Sequence, residues 1–311
     1  MPREPDQSLL HKPLLRYWLA TRPGFLAASL VPALLGVAAV IHQGGPVNGL
    51  LLVLTLIGIV LVHAGVNVLN DYYDDLNGTD RCNETRIFPF TGGSRFIQNG
   101  VLSARSTLHF GGLLLLVATL LGLGLTLASG AELLLVGVAG LLLGWGYSAP
   151  PLSLNSRGLG EPAIALGFGI LTPLGAWYVQ TGTLGLYPVL VSLPLSLLLM
   201  NILLINQFPD RAADAACGKH HWVVRCGEER AARLYLLNVL ISMLLLTGLV
   251  LAGSLPEAAL LALLPQGQAL RAALLLLTHA RQPAALEPAI RMTIGSALLH
   301  GVLLSLILWL T

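Results

Sequence analysis

Nine long apolar runs separated by short polar connectors dominate this chain of 311 residues. Each run approaches the roughly 20 residues that an α-helix needs to cross a bilayer, and none alternates apolar and polar positions as membrane β-strands do. The runs are Gly24–Ile41, Leu50–Leu69, Leu108–Ala128, Leu133–Tyr147, Pro162–Gln180, Tyr187–Phe208, Leu234–Leu251, Glu257–Thr278 and Met292–Leu310. The pattern predicts an all-α membrane protein, a bundle of about nine transmembrane helices around a central cavity. We expect a single domain over residues 1–311.

Positive charge is confined to alternate connectors. The connectors after the first, third, fifth and seventh runs contain no Lys or Arg. The N-terminal segment 1–22 and the remaining connectors hold all but one of the 17 Lys and Arg residues, and the exception, Arg271, lies in the eighth run. Because cytoplasmic loops of membrane proteins are enriched in Lys and Arg, the N-terminus is predicted to be cytoplasmic and the C-terminus to lie outside the cell membrane.

The composition supports a membrane setting. Hydrophobic residues make up 55% of the chain and charged residues only 10%, whereas about a quarter of the residues of a soluble domain are charged. The net charge of +2 is too small to indicate nucleic-acid binding. The lipid bilayer is therefore the predicted macroscopic partner, with no nucleic acid and no obligate protein partner expected.

Polar residues return where the second run ends. Asn67, Asn70, Asp71 and Asp74 fall within about 100° of arc on a helix that turns 100° per residue, and Asp80 follows shortly afterwards. Charged side chains beside hydrocarbon are costly and usually functional. Helix capping accounts for single Asp or Asn residues at a helix end, but not for four on one face.

A second acidic cluster follows the sixth run. Asn206, Asp210 and Asp214 step by four residues and so share one helix face. Both clusters contain Asn-x-x-x-Asp, as Asn70 to Asp74 and as Asn206 to Asp210, which indicates an internal pseudo-repeat with the clusters facing across a cavity. Facing carboxylates at a membrane surface indicate divalent cations, and Mg²⁺ with oxygen ligands indicates a phosphorylated substrate.

Glycine-containing basic loops follow both clusters. The stretch Thr91–Arg95 offers backbone N–H groups and a guanidinium, and Lys219 and Arg225 follow the second cluster. Such donors suit the free oxygens of an anion whose other oxygens contact a metal. The alternative role for basic residues here is contact with lipid headgroups, which we favour for Arg105, Arg230 and Arg233.

Two motifs together resemble a known family. They are Asn70-Asp71-x-x-Asp74 with Gly78-Thr79-Asp80, and Asp210-x-x-x-Asp214 with Gly218-Lys219 and Val223-Val224-Arg225-x-Gly227. They look like the two aspartate motifs of the UbiA superfamily of intramembrane prenyltransferases. Further stretches are similar to its 1,4-dihydroxy-2-naphthoate polyprenyltransferase branch: Thr21-Arg22-Pro23 with Ser29-Leu30-Val31-Pro32, Thr91-Gly92-Gly93-Ser94, Tyr147-Ser148-x-Pro150-Pro151 with Arg157-Gly158-Leu159-Gly160-Glu161, and Asn206-x-Phe208-Pro209-Asp210. The resemblance runs from about Thr21 to Gly227.

The resemblance implies Mg²⁺-dependent transfer of a polyprenyl group from a prenyl diphosphate to an aromatic acceptor, 1,4-dihydroxy-2-naphthoate in menaquinone biosynthesis. The expected metal ligands are Asn70, Asp71, Asp74, Asp80, Asp210 and Asp214. The expected catalytic residues are Asp71, Asp74, Asp210, Asp214 and Tyr147, with Tyr147 shielding a cation or contacting diphosphate. The expected substrate-binding residues are Arg22, Asn67, Asn70, Arg95, Asn206, Lys219 and Arg225.

The chain departs from the family pattern around the second motif. His220, His221 and Trp222 stand where relatives have a short hydroxyl-bearing stretch, and Gln207 stands where similar sequences often have an acid. These departures concern the acceptor more than the diphosphate. A second hypothesis is therefore another UbiA-type enzyme with 4-hydroxybenzoate or a different acceptor. A third, from another class, is a membrane transporter, whose ionisable residues should lie at mid-membrane.

Overall fold

The computed structural model describes residues 3–311, so the first two residues of the predicted cytoplasmic segment 1–22 lie outside the described part. Those 309 residues form helices and connecting loops, with no β-strand among them. The α-helices are α1 (Pro13–Ala20), α2 (Ala27–His42), α3 (Gly49–Asn77), α4 (Thr79–Cys82), α5 (Ala104–Ser129), α6 (Leu133–Ser148), α7 (Gly160–Leu166), α8 (Thr172–Thr181), α9 (Leu186–Ala216), α10 (Trp222–Cys226), α11 (Glu228–Leu251), α12 (Leu263–His279) and α13 (Glu287–Leu310). The all-α prediction is confirmed.

Each of the nine predicted runs coincides with a helical segment. Within the described residues, eight segments are long and apolar enough to cross a membrane, and α6 is a shorter apolar helix. The largest differences concern α3 and α9, which continue beyond the predicted ends at Leu69 and Phe208 to Asn77 and Ala216. Both acidic clusters therefore lie on helices, in agreement with the helix faces predicted for them. Gly78, with a φ of 84°, ends α3.

The predicted fifth span is interrupted. Between α7 and α8 the chain forms one π-helical turn at Gly167–Leu171, and the Thr172 hydroxyl donates to the Gly167 carbonyl over 2.9 Å. A side chain at Gly169 would collide with Ser196 of α9, so glycine permits the two helices to approach closely here. The π turn carries Phe168 into the wall of the central cavity.

The three C-terminal spans, α11, α12 and α13, pack against helices that form the cavity wall or against each other. Helices α11 and α13 pack against α9, α13 also packs against α2, and α12 packs between α11 and α13. Helix α9 is consequently the most buried of the candidate spans. No described residue after His221 lines the cavity. Its wall comes from α2, α3, α5, α6, α7, α8 and α9, from the π turn, from the segments that follow α3, α6 and α9, and from Arg22 and Phe25 before α2.

Close helix contact at Gly36 gives a first testable expectation. A Cβ at Gly36 of α2 would collide with the backbone of Pro173 in α8, whereas a Cβ at Gly112 of α5 would meet nothing within 4 Å. Gly36→Ala should therefore destabilise the protein by about 1–3 kcal/mol, the usual cost of overpacking. Gly112→Ala, the matched control, should leave the thermal unfolding temperature in detergent unchanged or slightly raised. Equal unfolding temperatures for both variants would contradict the close packing of α2 on α8.

Candidate active site

A central cavity of about 490 Å³ opens between the helices. Its polar end is formed by the C-terminal parts of α3 and α9 and by the loops that follow them. Its deeper wall is mostly apolar and includes Ile59, Val62 and Phe168. A cavity with a charged end and an apolar interior suits an amphipathic ligand that has an anionic head and a hydrocarbon tail.

The Asp74 carboxylate projects from α3 into the polar end. It pairs with the Lys219 ammonium at 2.7 Å and accepts hydrogen bonds from the side-chain amides of Asn70 at 3.1 Å and Asn77 at 3.3 Å. The Asn70 amide also donates to the Ser148 hydroxyl, over 3.0 Å. Asn70 and Asp74 are one helical turn apart, so their common face is the one predicted from the sequence.

The Asp71 carboxylate has a different environment. It is buried, pairs with the Arg22 guanidinium, and accepts hydrogen bonds from the Ser94 hydroxyl and, over 3.1 Å, from the Ser94 backbone N–H. Asp71 does not line the cavity, although Arg22 does. In this structure Asp71 thus joins the N-terminal segment and the Thr91–Arg95 loop to α3. Its predicted roles in metal binding and catalysis stay predictions.

The second cluster faces the first. Asp210 accepts hydrogen bonds from the Asn83 amide at 2.6 Å and from the Gly92 backbone N–H at 3.2 Å. Asp214 lies 3.6 Å from the Lys219 ammonium and 3.1 Å from His221 Nε2. These contacts bring the loop after α3 against α9, so that the two predicted clusters meet at one end of the bundle.

Lys219 lies between the two clusters and is only 6% exposed. Burial alone would lower the pKa of its ammonium, but the carboxylates of Asp74 and Asp214 outweigh that effect and raise the pKa above its ordinary value. Lys219 is therefore a fixed positive charge at the polar end of the cavity, in contact with both helices that carry acidic residues.

Of the carboxylates at the polar end, that of Asp80 on α4 has the fewest hydrogen-bond and ion-pair partners. Burial and the nearby charges of Asp74 and Asp71 raise its pKa well above the ordinary value, and its Oδ2 atom has no hydrogen-bond partner within the described residues. A Cβ at Gly93 would collide with this carboxylate, and the φ of 75° at Gly93 also favours glycine. The glycine pair of the Thr91–Arg95 loop thus allows backbone to approach Asp80 closely.

The donor set at the polar end fits a hard divalent cation. Five Asp carboxylates lie there, those of the two clusters and Asp80, and among the described Lys and Arg side chains only Arg22 and Lys219 form ion pairs with them. Further oxygens there lack a protein hydrogen-bond partner within residues 3–311: Asp80 Oδ2, Asn83 Oδ1, Asn206 Oδ1 and Gln207 Oε1. Carboxylate and amide oxygens are the ligands that Mg²⁺ prefers.

The carboxylates do not already form a closed metal cage. Within the described chain no three His, Cys, Asp or Glu side chains converge as a preformed metal site, and Lys219 holds the position between Asp74 and Asp214. Mg²⁺ ordinarily keeps several waters and uses one or two carboxylates together with substrate phosphates, so a site completed by substrate needs no such cage.

Most predicted site residues line the cavity, but two predicted diphosphate ligands do not. Those lining it are Arg22, Asn67, Asn70, Asp74, Asp80, Tyr147, Asn206, Asp210, Asp214 and Lys219. The Arg95 guanidinium instead donates to the backbone carbonyl of Asp80. The Arg225 guanidinium donates to the carbonyls of His220, at 2.5 Å, and Arg157, at 2.7 Å, and is exposed. Neither lies in the cavity wall, because each is used to fasten a loop.

Several other residues in the cavity are not among those predicted from the sequence. Asn83, Gln207 and His221 all line it, and His221 is buried against Asp214. In the sequence, Gln207 and His221 stand out only as departures from the family pattern. The position of Asn83 could have been predicted, because an Asn three residues after Asp80 continues the polar run of the first motif.

The chain belongs to the UbiA prenyltransferase family, whose defining pattern matches residues 29–307. It is therefore a multi-pass membrane prenyltransferase, and the transporter hypothesis is wrong.

Similar proteins fall within the same family. The chain is 27% identical to the 1,4-dihydroxy-2-naphthoate octaprenyltransferase of Bacillus subtilis over 237 residues, which cover 76% of this chain and 74% of that protein. It is 30% identical to the enzyme of the same name from Escherichia coli over 223 residues, 70% of each chain. The structure of a UbiA homolog from Archaeoglobus fulgidus bound to GPP and Mg²⁺ superimposes with a TM-score of 0.62 at 16% identity, covering 93% of this chain and 99% of that one.

Proposed function

We propose that this protein transfers a polyprenyl group from a prenyl diphosphate to 1,4-dihydroxy-2-naphthoate, a step of menaquinone biosynthesis. The observation that carries the proposal is that Asp74 and Asp214 meet at Lys219, with Asp210 in the same cavity wall, at the charged end of an otherwise apolar cavity. The naphthoate acceptor is supported by the names of the relatives from Bacillus subtilis and Escherichia coli.

The metal site we propose comprises the oxygen ligands at the polar end. The residues that would hold Mg²⁺ are Asn70, Asp71, Asp74, Asp80, Asp210 and Asp214. Bound there, a divalent cation supplies Lewis-acid neutralisation of the leaving diphosphate. The excess of carboxylates over cations supports this assignment, because a diphosphate alone would add negative charge to an already negative pocket.

The chain's own cations act on the diphosphate oxygens. Lys219 and Arg22 both line the cavity, and each can donate to an oxygen that gains negative charge as the allylic C–O bond breaks and its electron pair passes to the diphosphate. An electron-rich ring carbon of the acceptor then bonds to the allylic carbon, and the same ring carbon releases its own substituent, a proton or a carboxylate lost as carbon dioxide, so that the ring becomes aromatic again. The apolar deeper wall excludes water from the allylic carbon, and the Tyr147 ring, also in the wall, can stabilise positive charge by its π face.

One assay tests the proposal directly. Purified protein in lipid or detergent is given a labelled prenyl diphosphate, Mg²⁺ and a panel that includes 1,4-dihydroxy-2-naphthoate and 4-hydroxybenzoate. We expect a prenylated naphthoate product, no product in EDTA, and recovery when Mg²⁺ is restored. Transfer to 4-hydroxybenzoate alone would overturn the acceptor assignment, and full turnover in EDTA would overturn the metal assignment.

We further propose that residues 1–311 form one domain of the cell membrane, with the N-terminus and the active site cytoplasmic and the C-terminus outside. The alternation of Lys and Arg between connectors supports this orientation. Both acidic clusters then meet prenyl diphosphate from the cytoplasmic side. Membership of the family establishes that the chain is a multi-pass membrane protein. The proposed orientation in the membrane is tested separately.

Cysteine labelling in intact cells tests the orientation. In a variant without the three native cysteines, Cys82, Cys217 and Cys226, a new cysteine near Gly44 or Gly182 should react with a membrane-impermeant maleimide. One near Asn83, at the exposed Glu84, should react only after the cells are opened. Labelling of the Glu84 position from outside would reverse the orientation, and Western detection of each variant controls for expression.

A further inference from the structure

A histidine lies on the same face of α3 as the first acidic cluster but deeper in the membrane. His63 precedes Asn67 by four residues, Asn70 by seven and Asp74 by eleven, so all four project within about 60° of arc. At 1.5 Å per residue, His63 lies about 6 Å below Asn67 and about 10 Å below Asn70 along the helix axis. It is 8% exposed, and the surface that it keeps is in the cavity wall.

The hydrogen bonds around His63 define which ring nitrogen is free. The Ser29 hydroxyl donates to the Leu26 carbonyl over 2.8 Å, so its oxygen is left to accept from His63 Nδ1 at 3.0 Å. Nδ1 therefore carries the proton of the neutral ring, and Nε2 is a hydrogen-bond acceptor. The contact with Ser29 is the one hydrogen bond that His63 makes within the described residues, and it leaves Nε2 without a protein partner there.

Apart from Ser29 and the nearby Arg22 guanidinium, the side chains around the His63 ring are aromatic and apolar. The Phe168 ring, carried by the π turn, lies 4.7 Å from the His63 ring, centroid to centroid, at an interplanar angle of 59°. Phe25 and Val62 line the same part of the cavity. A single acceptor atom on a fixed ring in an apolar wall is the arrangement that orients one polar group of an otherwise flat, apolar ligand.

The chemistry of the two proposed substrates determines which of them can donate a hydrogen bond to His63 Nε2. An ionised prenyl diphosphate is a hydrocarbon with acceptor oxygens at one end, so it offers Nε2 no donor. A phenolic acceptor offers an O–H group. We propose that His63 Nε2 accepts a hydrogen bond from a ring hydroxyl of the aromatic acceptor and so determines the acceptor's position and specificity. This inference rests on the proposed function.

The proposed contact also explains the role of Ser29. Its hydroxyl fixes the tautomer of His63, which keeps the acceptor nitrogen towards the cavity rather than towards α2. Ser29→Ala would release that constraint without removing the imidazole. We therefore treat Ser29 as a positioning residue for His63 and His63 as the residue that touches the substrate.

The experiment compares acceptors and variants under saturating prenyl diphosphate and Mg²⁺. His63→Leu should raise KM for a hydroxylated naphthoate roughly tenfold or more, the effect of one lost hydrogen bond, with KM for the prenyl diphosphate unchanged. Wild-type protein should prefer the free hydroxyl to its methyl ether, and His63→Leu should lose that preference. His63→Gln, which keeps an acceptor oxygen, should restore part of both, and Ser29→Ala should show a smaller rise in KM.

His109→Leu is the matched control, because His109 is exposed on α5 and does not line the cavity. It should leave both KM values unchanged. Should His63→Leu retain the acceptor KM and the preference for the free hydroxyl, the inference is overturned while the proposed function stands. Absence of transfer to any phenolic acceptor by the wild-type protein would instead overturn the proposed function. Should His63→Leu fail to fold, judged by size-exclusion chromatography, Ser29→Ala and His63→Gln answer the same question through the free-hydroxyl preference.

Discussion

Asp74→Asn should reduce kcat/KM by about a thousandfold or more while the protein remains folded in the membrane. The change removes one negative charge from the point where Asp74 meets Lys219 at 2.7 Å, and it keeps the shape of the side chain. We propose that this charge holds the metal that neutralises the diphosphate, and loss of transition-state charge stabilisation has effects of this order. Asp210→Asn should act similarly from the other helix.

Asp75→Asn is a matched control for that expectation. Asp75 is the next residue of α3 and is also buried, but its carboxylate binds Arg81 at 3.1 Å and Gln98 at 3.3 Å and does not line the cavity. It should keep kcat/KM within a few-fold of wild type. A product assay at saturating Mg²⁺, with thermal unfolding as the folding check, measures all three variants. Wild-type turnover by Asp74→Asn would refute the proposed mechanism.

Lys219→Met should weaken binding of prenyl diphosphate ten- to hundredfold. The loss of one charge-assisted contact typically costs about 1.5–3 kcal/mol, and tenfold in affinity corresponds to about 1.4 kcal/mol. The variant also leaves Asp74 and Asp214 facing each other without their shared cation, so in EDTA it should unfold at a lower temperature than wild type. Titration of a fluorescent prenyl diphosphate with Mg²⁺ measures the affinity.

Arg225→Ala separates the effect of charge in the cavity from charge in the loops. The Arg225 guanidinium binds two backbone carbonyls outside the cavity, so its removal should leave donor affinity within about threefold of wild type and affect mainly stability, by the 0.5–1.5 kcal/mol usual for a hydrogen bond. If Arg225→Ala lowered donor affinity more than Lys219→Met, the cation nearest the diphosphate would have been wrongly assigned.

The helices and the acidic face of α3 could be predicted because they depend on local periodicity. Apolar runs of span length and the positions of Asn70 and Asp74 one turn apart are properties of the chain within a few residues. The proximity of the two clusters could also be inferred, because similar acidic motifs at the ends of two spans are most simply explained by one shared site.

The long-range partners of the site residues could not be predicted. Asn83 reaches Asp210 across 127 residues, and Asp71 is bound by Arg22 across 49 residues. Arg22 does so from a left-handed conformation with a φ of 56°, which a sequence pattern does not indicate for arginine. A basic residue beside a motif can bind a ligand or a backbone carbonyl, and only the folded chain shows that Lys219 lines the cavity whereas Arg225 binds two backbone carbonyls outside it.

Within the described structure, no residue from Trp222 onwards lines the cavity. Substitutions before and after this point should therefore have different effects under mutational selection. Substitutions in α11, α12 and α13 should change how much protein accumulates in the membrane, while each surviving molecule keeps normal kinetic constants. Substitutions in the preceding part should change activity per molecule as well. A variant library scored for growth and, separately, for protein abundance should therefore show selective loss of growth at normal abundance almost only before Trp222.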